Sequence, residues 1–174
     1  MITVIGARGT LKDIDGFVQQ LLVFSNKEHL VIQAFDAAMI YNIDHLVSAT
    51  IHAKRAFEQG TNTTNSLALE ILLYAAGERQ IQKAIRKTGV KKGKHPLAFV
   101  LTHPTSEKNN RNVEGAVLHR LLQTFHLTRD DTVLKGNRAT LKRFGITDAE
   151  LSTIPEEKYG ELVLEKVALV DVIK

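Results

Sequence analysis

Apolar residues recur along the chain in two rhythms. Short runs in which they stand adjacent or alternate predict three strands, at Ile2 to Ala7, His29 to Phe35 and Leu97 to Thr102. Spacing of three to four predicts helices between and after them. The first carries Phe17, Val18, Leu21, Leu22 and Phe24 behind a cap at Asp13 or Asp15, and Asp36 opens a short helical turn through Met39 and Ile40. A long helix is expected over Ile43 to Gln59, with Ile43, Leu46, Val47, Ala53 and Phe57 inward and Asp44, Ser48, His52, Arg55 and Gln59 opposite. Gly60 is placed to end it in a left-handed conformation.

Ser66 to Ala76 is apolar on nearly every side, the mark of a buried helix, with Asn62 or Thr63 as its expected cap and Glu70 as its single charge. Gly77 interrupts it. A further helix is expected over Glu78 to Thr88, with Ile81, Ala84 and Ile85 inward and Gly89 at its end. Asn109 to Leu127 contains a helix marked by Val113, Val117, Leu118, Leu121, Leu122 and Phe125, and Thr132 to Arg143 fits a short one. Pro155, Glu156 and Glu157 mark the start of a last helix through Val167, and Ala168 to Ile173 suit helix or strand. Strands separated by more numerous helices predict an α/β (α+β) fold: one domain over residues 1–174, with a small central β-sheet surrounded by a majority of helices. The strand order is not legible.

Composition narrows this picture. An apolar share of 44% over 174 residues is enough for one sizeable core. The absence of cysteine excludes disulfides and thiolate zinc sites and fits a cytoplasmic address. Met1 to Gly6 lacks a basic leader, and no run of apolar residues is long enough to span a membrane. The net charge of +4 permits a nucleic-acid partner without requiring one.

No catalytic pattern emerges. Gly6-Ala7-Arg8-Gly9 has the spacing of neither a dinucleotide loop nor a phosphate loop and reads as a surface turn. None of the seven histidines shows metal-ligand spacing beside carboxylates, so no metal and no cofactor is expected, and no small-molecule substrate. Asp44, Ser48 and His52 share a helix face, but a helix-borne serine has no strained elbow or evident oxyanion hole. Glu70 reads as a buried carboxylate with a structural partner such as Arg55 or Arg79, since an unpaired buried charge is very costly.

Charge distribution is more informative. Arg79 to Ser106 contains no Asp or Glu but holds Arg79, Lys83, Arg86, Lys87, Lys91, Lys92 and Lys94. The first four share one helix face, where their mutual repulsion is relieved by an anionic partner such as phosphate or, more blandly, by solvent. A second basic group, Lys135, Arg138, Lys142 and Arg143, extends this patch or is unrelated to it.

The run His52-Ala53-Lys54-Arg55-Ala56-Phe57-Glu58-Gln59-Gly60-Thr61-Asn62, continued by Leu69-Glu70-Ile71-Leu72-Leu73-Tyr74-Ala75-Ala76-Gly77-Glu78-Arg79-Gln80-Ile81, resembles the kinase-binding regulatory subunits of the KEOPS complex. The human counterpart of that family is called the PRPK-binding protein. Leu164 to Asp171 is similar to the family's ending. The resemblance implies a non-catalytic subunit. It would bind the small atypical kinase and help recruit tRNA by its single-stranded 3′ CCA end, in support of threonylcarbamoyladenosine formation.

On that reading the RNA groove is expected at Arg79, Lys83, Arg86, Lys91 and Lys92. Donors would come from Asn62 and Thr63 at a helix N-terminus, and Arg55 is a further member. The kinase is expected on the apolar-rich C-terminal element, at Val163, Val167, Val170 and Ile173, unless that element is buried on two sides within the chain.

Overall fold

The computed structural model describes residues 1–104 and 112–173. In chain order its elements are β1 (Ile2–Leu11), α1 (Ile14–Lys27), β2 (Val31–Asp36), a 3-10 turn (Ala37–Met39), α2 (Ile43–Gln59), α3 (Leu67–Ala76), α4 (Ile81–Thr88) and β3 (Gly93–Thr102). There follow α5 (Gly115–Thr124), β4 (Thr128–Arg129), a 3-10 turn (Asp131–Leu134), α6 (Arg138–Phe144), α7 (Asp148–Leu151), a 3-10 turn (Glu156–Lys158) and α8 (Tyr159–Ile173). The expected start of the fifth helix at Asn109 lies outside the described residues.

The strands form one antiparallel sheet in the order β2-β3-β1-β4, so the fold is α+β. β1 and β3 pair over their whole length, from Ile2 opposite Thr102 to Leu11 opposite Gly93. Both are longer than expected, because pairing carries each strand past its apolar run. Gly6-Ala7-Arg8-Gly9 is therefore strand and not a turn. Its glycines admit close neighbours: a Cβ at Gly9 would stand 2.3 Å from a Leu127 methyl, and one at Gly6 2.4 Å from the Asp130 carbonyl oxygen.

Helices cover both faces of the sheet, so β3 is buried without interruption from Leu97 to Leu101. Alternation sends Ala98 and Val100 into a core with α2, α3 and α8. Leu97, Phe99 and Leu101 enter the opposite core with Phe17, Leu21 and Phe24 of α1 and Val117 and Leu121 of α5. A smaller cluster joins Leu141, Phe144, Ile146 and Leu151 to Val163.

The α2–α3 hairpin matches its expected outline. Gly60 (φ 68°) and Gly77 (φ 65°) end the two helices in the left-handed region. Ser66, not Asn62 or Thr63, caps α3 by accepting from Leu69 N–H. Eight of the ten α3 residues are buried, which explains its lack of a polar face. The inward face of α2 is rotated from the expected one. His45, Leu46, Ala49, Thr50, Ala53 and Ala56 are buried, whereas Ile43 is 49% exposed. Close approach to α3 selects small side chains over bulky ones.

Candidate nucleic-acid interface

α4 begins at Ile81, so Arg79 and Gln80 belong to the turn that leads into it. Ala84 and Thr88 face the core, Ile81 is half-buried and Ile85 remains 43% exposed. Arg79, Lys83 and Arg86 are exposed and make no ion pair or side-chain hydrogen bond among the described residues. Glu78, Arg79, Gln80 and Lys83 form the polar side of an open cleft, and Ile173 at the end of α8 forms its apolar side.

The other cations of this stretch separate by role. Lys87 turns inward: its ammonium lies 4.0 Å from the centre of the Phe144 ring and 3.9 Å from Glu78, and burial lowers its pKa. Lys91 donates to the carbonyls of Arg86 (3.0 Å) and Gly89 (2.8 Å), so it caps the C-terminal end of α4. Lys92, next to it, is exposed.

Asn62 and Thr63 lie at the far end of α3 from Arg79, about 15 Å away along a ten-residue helix, and do not line the cleft. Asn62 Nδ2 and the Thr63 N–H are used within the loop. The buried Glu70 carboxylate accepts from Thr63 N–H at 3.1 Å and from Thr64 N–H at 2.9 Å, and Thr64 Oγ1 donates to it at 3.0 Å. Asn62 Nδ2 donates to the Thr64 carbonyl at 2.9 Å. Glu70 stabilises the loop by accepting several hydrogen bonds in a buried site. Arg55 is exposed on α2, and its charge acts on Tyr74.

α8 is helical through Ile173. Val163, Val167 and Val170 are buried in the chain's own cores, against Leu141 and Phe144 in one case and α2 and α3 in the other. These three valines stand at i, i+4 and i+7, so they form a single inward stripe that meets the two clusters in succession along the helix. Leu169 (39%), Val172 (77%) and Ile173 (40%) remain exposed.

Asp171 ties this end down. Tyr74 O–H donates to its Oδ1, and His52 Nδ1 lies 2.7 Å from its Oδ2. The His52 and Tyr74 rings stack at 5.6 Å. Burial and the neighbouring Asp171 carboxylate push the Tyr74 pKa well up. His52 therefore turns to Asp171 and not to Asp44 or Ser48, against the one-helix triad. Neither spacing nor composition pointed to Asp171. Among the described residues, no group of three His, Asp or Glu side chains is placed to hold a metal, and no helix is long and apolar enough to cross a membrane.

The fold and these surfaces define a small α+β domain that presents a cationic ridge beside an exposed apolar helix end. The chain belongs to the family described as "Kinase binding protein CGI-121", whose model matches residues 11–169. It is also similar to the KEOPS complex subunit Cgi121 of Pyrococcus abyssi, with 39% identity over 56 residues, which is 32% of this chain and 33% of that protein. The match thus spans about a third of that relative's length.

Proposed function

We propose that this chain is a non-catalytic, cytoplasmic subunit of a KEOPS complex. On this reading it binds the small atypical kinase and recruits tRNA through the 3′ CCA end, in support of threonylcarbamoyladenosine modification. Membership in a kinase-binding family supports the kinase half. One observation carries the RNA half. Arg79, Lys83 and Arg86 stand exposed and without ion pairs among the described residues, in a stretch free of carboxylates up to Ser106. Phosphates answer such a ridge, and the cleft at its foot has room and polarity for an unstacked nucleotide. Lys92 extends the ridge. Of the exposed apolar residues of α8, Leu169 and Val172 lie outside the cleft and are left for the kinase, whereas Ile173 lines the cleft itself.

The inward turn of Lys87 and the capping role of Lys91 leave fewer cations for RNA than the chain carries in this stretch. That observation favours a second reading, a protein-only regulator of the kinase. Mixing the chain with CCA-bearing and CCA-trimmed tRNA, with and without the kinase, separates the two. The expected result is a salt-sensitive complex with intact tRNA, weakened by trimming and retained when the kinase is added. A chain that captures the kinase but no tRNA at low salt establishes the protein-only reading instead.

A further inference from the structure

The apolar wall of the cleft is the last residue of a helix, and helix ends fray unless something holds them. Something does. Asp171 and Ile173 are two positions apart on α8, so they project to nearly opposite sides of it. While Ile173 faces the cleft, Asp171 reaches α2 and α3 through His52 and Tyr74. The Tyr74 side chain is wholly buried, and the stacked His52 ring fixes the direction from which Asp171 is held. On the Ile173 side, two turns earlier, the Gly77 turn that leads into Arg79 packs on α8, where a Cβ at Gly77 would meet the Lys166 carbonyl at 3.5 Å. Both walls of the cleft are thus referenced to the same two helices.

We infer that Asp171 is a positioning residue: clamped by Tyr74 and His52, it holds the last turn of α8 so that Ile173 faces Arg79 and Lys83 as the apolar wall for the terminal nucleobase of a single strand. The cations hold the phosphates, Gln80 offers an amide to the base edge, and Ile173 packs on the base face. Asp171 touches no RNA. This inference rests on the RNA reading proposed above.

The test uses the full chain, folded by circular dichroism, with CCA-bearing and CCA-trimmed tRNA in a salt series. Asp171→Asn and Tyr74→Phe should each lower the preference for CCA-bearing tRNA by roughly threefold to tenfold, since a poorly held wall forfeits much of a stacking contact. The salt slope should not change, because no cation is lost. Ile173→Ala should lower the preference to the same degree, and adding Asp171→Asn to it should lower it no further. An unchanged preference in Asp171→Asn and Tyr74→Phe, or an effect that adds fully to that of Ile173→Ala, overturns the inference. Lys83→Glu keeps the two ideas apart: it should weaken binding and flatten the salt slope whatever the clamp does. If Lys83→Glu changes neither, the RNA reading fails and takes this inference with it.

Discussion

Two short helices carry most of the clustered basic residues, and the chain treats them differently. On α6, Arg138 and Lys142 converge on Asp148 at 3.2 and 3.1 Å, and Arg143 donates to the Ala38 carbonyl at 3.1 Å. On and just before α4, Arg79, Lys83 and Arg86 meet no such partner among the described residues. The two segments look alike as lists of residues. Whether a carboxylate arrives from elsewhere in the chain separates a structural charge cluster from an available one. The helices meet at Phe144, where Lys87 sits over one face of the ring and His45 packs against it at 5.2 Å.

That junction gives the largest expected effect. His45 is wholly buried; its Nε2 lies 2.8 Å from the Ala75 carbonyl oxygen, and its Nδ1 accepts from Tyr41 N–H at 3.3 Å. Burial lowers its pKa from 6.5 to about 4. Between those values the unfolded chain binds a proton that the folded chain excludes. Stability is therefore full above pH 6.5 and falls on acidification to about 4, by roughly 3 kcal/mol. Urea unfolding at pH 7.5, 5.5 and 4.5 should show the decline, and His45→Gln should flatten it. Glu150, whose pKa the Lys166 hydrogen bond lowers to about 2, contributes in a separate and more acid window, below 4.5. An equal decline in the His45 variant would place the acid sensitivity elsewhere.

Glu70→Ala is next in size. It strands the Thr63 and Thr64 N–H groups and should cost about 2 kcal/mol in urea unfolding. If the RNA groove ran through Asn62, the same change would also remove tRNA binding; confined to α4, the groove should keep it. A finer contrast lies within the α4 segment. Lys91→Met should cost about 0.5–1 kcal/mol of stability, because the Arg86 and Gly89 carbonyls lose their cap, and should spare tRNA affinity. Lys92→Met should do the reverse. The smallest effect is expected from Asp148→Asn, which releases Arg138 and Lys142 and should raise non-specific RNA affinity by about twofold at low salt.

Much of the fold was legible wherever a rhythm ran long enough. The bounds of α2, the glycine ends of α2 and α3 and the all-round burial of α3 follow from residues within one segment. What was hidden depends on distant partners. β4 is two residues long and exists by pairing with Ala7 and Arg8. β1 and β3 extend through glycine, lysine and proline because each completes the other. Lys91 and Lys92 are identical neighbours whose roles part because one reaches two carbonyls. The apolar excess of α8 did not reveal which of its residues form the inward stripe: Val163, Val167 and Val170 do, whereas Leu169, Val172 and Ile173 stay exposed. Asp171 finds His52 and Tyr74 across 119 and 97 positions, a separation at which spacing carries no information.

On the proposed function the α4 ridge is available to phosphate and the α6 cluster, tied to Asp148, is not. The most direct test measures tRNA binding across a salt series for the Lys83→Glu, Arg86→Glu variant and the Arg138→Glu, Lys142→Glu variant side by side. The α4 variant should lose at least about tenfold in affinity and show a shallower salt slope, whereas the α6 variant should stay within about twofold. Equal losses in both, or none in the α4 variant, would contradict that reading.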